Sequence, residues 1–314
     1  MNSRVCAVVV NYKTAEMTRD CVASLAAQLD ADLDRIVVVD NDSGGEEVRR
    51  LERALRPLSL GRLVSILPLP CNDGFSAGNN AGIRSCEAEY YLLTNSDTLF
   101  RDGAVKALLA GALAHPDAGI VSPRLEWPDR VPQVSCFRFH RPPSETIHSA
   151  NSGPVTRLLR NYEIPLQPVE AISFPQWTSF ACVLIRKAVF DAIGYLDDGF
   201  FMYYEDEDFC RRARGAGFDI VNWPEAKVVH LQGKSSDVDA RALAKKALPD
   251  YVYHARSRYY RKHFGYAGWL FANLCWLFGR LLSLTRQGVS RFPQPVAKGE
   301  YVGIWKTKTA TRRG

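Results

Sequence analysis

Four carboxylates stand side by side at residues 205–208, within the stretch FMYYEDEDFCRR. Like charges this close repel one another, so the run needs a physical reason. One reason is local, because EDEDFCRRARGAG predicts a helix with acids in its first turn and glycines at its end. Glu207 and Asp208 each stand four residues before an arginine, the spacing of helical ion pairs. Glu205 and Asp206 have no such partner. We predict that they lie at the mouth of the helix, where a carboxylate can act as a base, although a solvated helix start shows the same pattern.

Two further acids and a histidine follow apolar runs, as RIVVVD, YYLLTNSD and KVVH. At such a position Asp40 can accept hydrogen bonds from a base or ribose. Asp97 can hold a divalent cation against phosphates, because hard cations prefer oxygen ligands. His230 is a possible metal ligand, although a lone histidine at a strand end is more often structural. Each acid taken alone fits a capped turn equally well.

The elements that carry these residues alternate between strand and helix. Apolar, β-branched runs such as RVCAVVVNY and RIVVVDND are separated by segments with helical spacing, which predicts an α/β fold with a mostly parallel sheet covered on both faces. Ligands of such sheets bind outside the carboxyl ends of the strands. The strand-end candidates are Asn11, Asp40, Asn41, Asn95, Ser96 and Asp97.

A glycine-rich stretch, NDGFSAGNNAGI, contains Gly74, Gly78 and Gly82. Glycine lets a backbone approach a phosphate or sugar closely. The first strand is not followed by GxGxxG, and GxxxxGK[ST] does not occur. The sequence therefore argues against a dinucleotide oxidoreductase and against a P-loop enzyme.

Composition is that of a globular protein, with 46% hydrophobic and 24% charged residues in 314. The chain is long enough for one large or two modest domains. Its eight cysteines are scattered without a CxxC pair, which predicts reduced thiols in the cytoplasm. The apolar run RVCAVVVNY is too short for a signal peptide.

The order of elements is interrupted at residues 126–176, which are rich in Pro, Arg, His and Ser and show no sustained periodicity. Long irregular segments are usually functional or mobile. Beyond them we predict a strand through Leu184 and a helix from Lys187.

The C-terminal part of the chain is basic. From Tyr251 onward, 12 Lys and Arg residues stand against one acid, Glu300, which gives this part a net charge of +11. The change in composition predicts a body at residues 1–248 and a basic, amphipathic helical extension at residues 249–314. The partner of such an extension is expected to be anionic.

An apolar run from Trp269 to Leu284 is shorter than a membrane span needs and contains two polar residues. Asn273, Arg280 and Gln287 share one helical stripe and leave a wide apolar face. This pattern predicts an interfacial helix on an anionic membrane. The alternative is a helix packed on the domain or in a dimer. Nucleic acid fits so long an aliphatic run poorly.

Six motifs occur in order: VVVNYKTAEMTRDCVASL, IVVVDNDSG, NDGFSAGNNAGI, YYLLTNSDTLF, FFMYYEDEDFCRRARGAGF and WPEAKVVHLQGKSS. Over roughly residues 4–236 they resemble the family-2 inverting glycosyltransferases of the GT-A fold, above all the bacterial rhamnosyltransferase-like branch. The resemblance implies a nucleotide-diphosphate sugar donor, dTDP-rhamnose or a UDP-sugar, and a saccharide or lipid-linked glycan acceptor. It also implies a role in cell-surface polysaccharide synthesis on the inner membrane.

Roles for individual residues follow from the same resemblance. Asp206 would be the catalytic base with Glu205 beside it. Asp97 would bind Mg²⁺ or Mn²⁺, assisted by His230. Asp40 would bind the base or ribose. The rest of the donor site would comprise Asn11, Asn41, Gly78, Asn79, Asn95 and Ser96.

Two departures from the family pattern stand out. The metal triplet begins with Asn95 instead of an acid, so we expect metal binding to be weaker or to depend more on His230. Phe180 stands where many relatives have glycine, and we expect its bulk to reshape the acceptor or donor-sugar pocket. Two rival functions stay open: a nucleotide-sugar-binding scaffold without turnover, and a basic nucleic-acid-binding module.

Overall fold

The structure is a computed structural model that describes residues 3–231, 238–289 and 296–307. Two units make up the chain. The sequence predicted a single boundary between residues 248 and 249, but the second unit also takes in two earlier stretches. The first unit comprises residues 1–137, 166–198 and 205–235, and the second comprises residues 138–165, 199–204 and 236–314.

Within the described residues, the first unit contains an eight-stranded sheet and a two-stranded one. The strands are β1 (Ser3–Asn11), β2 (Arg35–Asp40), β3 (Val64–Pro68), β4 (Ala88–Asn95), β5 (Thr98–Phe100), β6 (Ala118–Glu126), β7 (Cys136–Phe137), β8 (Trp177–Thr178), β9 (Cys182–Arg186) and β10 (Asp219–His230). The large sheet has the order β3-β2-β1-β4-β9-β6-β10-β5.

Most neighbours in this sheet run parallel, as predicted. Strands β1 to β4 are parallel to one another, and β6 is parallel to β10. The exceptions are β9, which runs antiparallel between β4 and β6, and β5, which runs antiparallel on β10. Valines 5, 8 and 9 of β1 are fully buried, because helices cover the centre of a parallel sheet on both faces.

The helices are α1 (Ala15–Ala26), α2 (Gly45–Leu55), α3 (Phe75–Ser85), α4 (Ala104–Ala114), α5 (Ser144–Ala150), α6 (Gly153–Leu158), α7 (Lys187–Ile193), α8 (Glu205–Gly215), α9 (Val238–Leu243), α10 (Asp250–Val289) and α11 (Glu300–Gly303). The strand predicted through Leu184 and the helix predicted from Lys187 are confirmed as β9 and α7. Helix α10 is broken at Gly265, whose φ of 68° is non-helical.

The second unit is built around α10. Tyr259, Tyr260, Trp269 and Ala272 of this helix form a buried cluster with Phe200. Helices α5 and α6 lie in the region where the sequence showed no periodicity. They have seven and six residues, and helices this short do not display a helical repeat in the sequence.

A buried polar network ties α5 to α10. Glu145 accepts hydrogen bonds from Arg256 Nε at 3.1 Å and from the Tyr260 hydroxyl at 2.8 Å. Arg256 also donates from Nη1 to Asn273 Oδ1 at 2.8 Å. The two halves of α10, before and after Gly265, are therefore linked to each other and to α5 inside this unit.

Candidate active site

Asn11 and Asp40 end the neighbouring strands β1 and β2 and stand opposite each other in register. Asn11 Nδ2 donates to Asp40 Oδ1 at 2.7 Å, and the Ser43 backbone N–H donates to Asp40 Oδ2 at 3.0 Å. Asn11 Oδ1 accepts from the Thr18 hydroxyl at 2.8 Å. These buried bonds hold the Asp40 carboxylate in one orientation at the carboxyl edge of the sheet.

Two buried asparagines near this edge have side-chain oxygens without a protein donor. Asn41 Nδ2 donates to Asn72 Oδ1 at 3.0 Å and to the Gly74 carbonyl at 3.1 Å, and Asn79 Nδ2 donates to the Phe75 carbonyl at 3.0 Å. The Oδ1 atoms of Asn41 and Asn79 accept no hydrogen bond from the residues that the structure describes. Buried acceptors are normally satisfied, so both are available to a ligand hydroxyl or water.

Glycines of α3 allow this helix to lie against β1. A Cβ atom at Gly78 would stand 3.2 Å from Val10 Cγ1, and one at Gly82 would stand 2.4 Å from Val8 Cγ1. The sequence explained these glycines by close approach to a phosphate or sugar. The contacts seen at both positions are with side chains of β1, so helix–strand packing already requires glycine at Gly82.

The triplet 95–97 forms the turn between β4 and β5. Asp97 is 1% exposed, and neither of its carboxylate oxygens accepts a hydrogen bond within the described ranges. His230, at the end of β10, places Nε2 3.5 Å from Asp97 Oδ1. A buried carboxylate without hydrogen bonds is costly unless a cation accompanies it, which makes this pair a candidate metal centre.

The protein ligands at this centre would be few. Among the described residues, no group of three or more His, Cys, Asp and Glu side chains is placed to hold a metal. A magnesium ion typically takes one or two carboxylates and completes its shell with water and substrate phosphates. One carboxylate and one imidazole therefore fit a cation that binds together with a diphosphate.

The acidic run has the local structure predicted for it. Helix α8 begins at Glu205, and Arg212 Nε donates to Asp208 Oδ2 at 2.9 Å, the predicted spacing of four residues. Arg212 also donates to the carbonyls of Ile193 and Tyr195 at 2.9 Å. Asp208 is thus structural, since its ion pair fastens α8 to the end of α7.

Burial shifts the pKa values of the first two acids of the run. Burial raises the pKa of Asp206 to about 7, while the main-chain N–H groups of Glu207 and Phe180 oppose the rise. Burial, and then repulsion from Asp206, raise the pKa of Glu205 well above its usual range. Glu205 is 6% exposed and its Oε2 atom lacks a partner among the described residues. Both carboxyl groups of this pair therefore bind a proton more tightly than exposed acids do.

Phe180 positions the start of α8. Its ring is buried and packs edge-on against Phe209 of α8, with the centroids 5.7 Å apart. Its main-chain N–H acts on the Asp206 carboxyl group and lowers the pKa of that group. The sequence led us to expect the bulk of residue 180 in a ligand pocket. Its ring lies instead in the interior of the first unit, where it acts on the helix that carries Asp206.

We expect Phe180→Ala to lower the free energy of unfolding by roughly 3–5 kcal/mol, because it empties a buried ring site against Phe209. Phe174→Ala is the matched control, since that ring is 55% exposed and its loss costs far less. Urea unfolding of the two variants measures the difference. Equal losses would show that Phe180 does not support α8.

Hydrogen bonds connect the ends of β1 and β2 to the turn at residues 95–97 and to the residues before β9. The Thr14 hydroxyl lies 3.0 Å from Asn11 Oδ1 and 3.0 Å from Ser96 Oγ. The Asn95 backbone N–H donates to the Ala181 carbonyl at 2.9 Å, next to Phe180. Asp40, through its partner Asn11, is thus connected to the turn that carries Asp97. Among the described residues, Asp206 is related to this network only through the Phe180 main chain, which lowers the pKa of its carboxyl group.

Sequence reasoning missed some members of this network. Thr14 directly precedes α1, but its side chain makes no capping hydrogen bond. It joins β1 to the turn at Ser96 instead. The Ser43 backbone and the Ala181 carbonyl act through main-chain atoms, which leave no signal in residue type.

A family model described as Glycosyl transferase family 2 matches residues 6–143. The hexosyltransferase Agl10 of low-salt glycan biosynthesis from Haloferax volcanii is 27% identical over 72% of this chain and 66% of its own length. The N-acetylglucosaminyl-diphospho-decaprenol L-rhamnosyltransferase of Mycobacterium tuberculosis is 27% identical over 70% of this chain and 74% of its own. The family model covers just under half of the chain, so these comparisons relate the chain to the family-2 glycosyltransferases by similarity. The chain spans just under two thirds of the first of these relatives.

The fold of the chain has solved counterparts. The mannosyltransferase PcManGT from Pyrobaculum calidifontis, in complex with GDP-Man and Mn²⁺, superposes with a TM-score of 0.59 at 14% identity over 94% of this chain and 78% of that one. At this identity the likeness concerns the fold alone. The predicted GT-A fold is confirmed.

Proposed function

We propose that this chain is an inverting, cation-dependent glycosyltransferase that moves a sugar from a nucleotide diphosphate to a lipid-linked saccharide. Rhamnose is our first candidate for the sugar, and dTDP-rhamnose or a UDP-sugar for the donor. One observation carries the proposal. Within the described residues, the buried carboxylate of Asp97 accepts no hydrogen bond and lies 3.5 Å from His230, in a turn that hydrogen bonds through Thr14 connect to Asn11, the partner of Asp40.

Donor binding is assigned to the edge formed by β1, β2 and β4. Asp40 would accept hydrogen bonds from the base or ribose, since Asn11 and Ser43 fix its orientation. The unsatisfied Oδ1 atoms of Asn41 and Asn79 would accept from donor hydroxyls. Asn95 and Ser96 border the diphosphate. Gly78 joins this set only as the helix position that packs on β1.

Asp97 and His230 are the residues that would hold Mg²⁺ or Mn²⁺. The bound cation supplies positive charge that stabilises the departing diphosphate. Asn95 in place of an acid removes one negative charge from the triplet. We therefore expect His230 to contribute more to metal binding in this chain. Support comes from the Mn²⁺ bound in the mannosyltransferase of the same fold.

Asp206 is assigned the role of general base. Inversion requires one group that removes the proton of the acceptor hydroxyl as its oxygen attacks the anomeric carbon from the side opposite the leaving group. A base works best when its pKa lies near the working pH, which the burial of Asp206 provides.

We expect kcat/KM to rise with pH up to about 7 and then to level off, because Asp206 acts in its ionised form and its pKa is about 7. Below that pH the rate falls roughly tenfold per pH unit. A profile measured at saturating cation tests this. A rate independent of pH between about 5 and 8 contradicts the assignment of this base.

We propose the acceptor and the cellular location by analogy with a relative. The mycobacterial relative is named for an acceptor with a diphospho-decaprenol group. By analogy we propose a lipid-linked glycan acceptor, a role in cell-surface polysaccharide synthesis, and action at the inner, cytoplasmic face of an anionic membrane. No role with nucleic acid is proposed.

Release of nucleotide diphosphate, measured with and without acceptor, tests the proposal against its rival. An enzyme releases diphosphate faster when acceptor is present, whereas a nucleotide-sugar-binding scaffold binds donor without releasing it. A thermal-shift screen of nucleotide sugars with Mn²⁺ identifies the donor first, because a ligand of the folded state raises Tm.

A further inference from the structure

The second half of α10 has two faces of opposite character. One face is buried within the second unit through Trp269, Ala272, Asn273 and Trp276. The other face carries eight large apolar side chains that are between 39% and 64% exposed. They are Tyr266, Leu270, Phe271, Leu274, Leu277, Phe278, Leu281 and Leu284. We call these eight residues the outer face of α10.

An apolar face of this size marks an interaction surface. Tyr266 and Leu284 are 18 positions apart, which corresponds to about 27 Å along a helix. Isolated exposed leucines are normal on a protein surface, but a continuous stripe of this length is not. A partner with an extended apolar surface is therefore expected to cover it.

Positive charge near the outer face indicates what that partner is. Arg261 is exposed just before its N-terminal end, and the Arg261 guanidinium lies 5.0 Å from the centroid of the Tyr266 ring. From Tyr251 onward, 12 Lys and Arg residues stand against one acid, Glu300. Glu300 is buried, where it accepts from Trp276 Nε1 at 3.0 Å and contacts His148 Nε2 at 2.7 Å. The stretch that contains the outer face thus has a net charge of +11, which favours an anionic partner.

We propose that the outer face of α10 lies in the interface of an anionic phospholipid membrane. Apolar side chains would enter the boundary of headgroups and acyl chains, about 5–10 Å deep, while the cations contact lipid phosphates. A second copy of this chain fits less well, because two stretches that each carry a net charge of +11 would repel one another.

The helix lies along the membrane in this proposal and does not cross it, although residues 250–286 are long and apolar enough to do so by composition. Its inner face is fastened to α5, where Thr146 Oγ1 donates to the Cys275 carbonyl at 3.0 Å and Ser149 Oγ donates to the Trp276 carbonyl at 2.7 Å. A Cβ atom at Gly279 would stand 2.2 Å from Ser149 Oγ. Spanning would carry this packed polar layer into lipid, where its groups lose their partners.

The predicted polar stripe agrees with this orientation. Asn273 is fully buried and bonded to Arg256, and Arg280 is half-buried and donates to Ser283 Oγ at 3.3 Å. Both lie away from the outer face. The side chain of Gln287, the third predicted member, lies outside the described residues.

Flotation of the full chain with two kinds of vesicle tests the proposal. We expect the protein to float with vesicles of equal parts phosphatidylcholine and phosphatidylglycerol, and to stay in solution with phosphatidylcholine alone at moderate salt. The variant Phe271→Ser/Phe278→Ser/Leu281→Ser should bind the mixed vesicles at least about 100-fold more weakly. Its Tm should not fall, because all three side chains are exposed.

A control variant replaces three apolar residues elsewhere that are even more exposed. Leu113→Ser/Leu158→Ser/Leu243→Ser removes side chains that are between 72% and 83% exposed, and it should bind the vesicles like the original chain. Arg261→Gln/Lys262→Gln should weaken binding to the mixed vesicles and reduce its sensitivity to salt.

Three results would overturn the proposal. The first is that the full chain fails to float with mixed vesicles. The second is that the Phe271 triple variant and its control lose binding equally. The third is that the original chain forms a stable dimer in sedimentation and the Phe271 triple variant is a monomer. The inference rests on the membrane association proposed above but not on the transfer reaction. Vesicle binding needs no donor or acceptor. The flotation assay therefore tests membrane docking independently of the assay for sugar transfer.

Discussion

Asp206→Asn should abolish transfer while donor binding survives. Asparagine has nearly the same shape and its oxygen can still accept the Glu207 backbone N–H, which bonds Asp206 at 2.8 Å. It cannot take a proton from the acceptor hydroxyl. The expected loss in kcat is about 10²–10⁴-fold or more, the usual contribution of a general base.

Donor affinity is measured by calorimetry with Mn²⁺ and turnover by diphosphate release. Asp219→Asn serves as the control, since Asp219 is exposed at the amino end of β10, the end opposite His230. Near-normal turnover in Asp206→Asn would show that another group is the base. Loss of donor binding in the same variant would make Asp206 a binding residue instead.

Asp97→Asn should remove the cation dependence of donor binding. Loss of a residue that only orients a metal ligand costs roughly 10–100-fold in metal affinity, and loss of the carboxylate itself should cost more. His230→Ala should cost less than Asp97→Asn, because the imidazole lies 3.5 Å from the carboxylate and is the secondary ligand. Donor titration at several Mn²⁺ concentrations measures both losses.

The same variant has a second, independent readout. Asp97 is buried without a hydrogen bond among the described residues, so replacing the charge by a neutral amide should raise the Tm of the metal-free protein. The control, Asp117→Asn, changes an exposed acid before β6 and should alter neither property. Unchanged donor affinity in Asp97→Asn with Mn²⁺ present would exclude this residue as the metal ligand.

The strands, the start of α8 and the ends of β1, β2 and β10 could be predicted from sequence because each depends on local pattern. RIVVVD is apolar and β-branched, and it forms β2 with Asp40 at its end. EDEDFCRRARG carries its own ion pair, Asp208 with Arg212, and forms α8. Parallel strands bring their carboxyl ends to one edge, which is why Asn11 and Asp40 meet.

Features that depend on distant contacts were not predictable. Helix α5 forms in an irregular segment because α10, more than a hundred residues later, accepts and donates its hydrogen bonds. The link from Thr14 to Ser96 joins residues 82 apart. The second unit draws on three stretches of chain for the same reason, whereas composition indicated one boundary.

The role of Phe180 shows the limit of reasoning from a family pattern. A phenylalanine in place of glycine shows that a larger side chain must be accommodated. It does not show whether that side chain points into a ligand pocket or into the protein interior. Its ring packs on Phe209, and its main-chain N–H lowers the pKa of Asp206. The departure thus concerns the support of the base.

A crystal structure with Mn²⁺ and a nucleotide diphosphate would test most directly whether one bound donor spans all three acids. We predict anomalous density for Mn²⁺ between the Asp97 carboxylate and His230, the nucleoside against Asp40, and the Asp206 carboxylate facing the position of the anomeric carbon. Mn²⁺ bound elsewhere, or a nucleotide that leaves Asp40 or Asp206 without contact to the same pocket, would contradict the account.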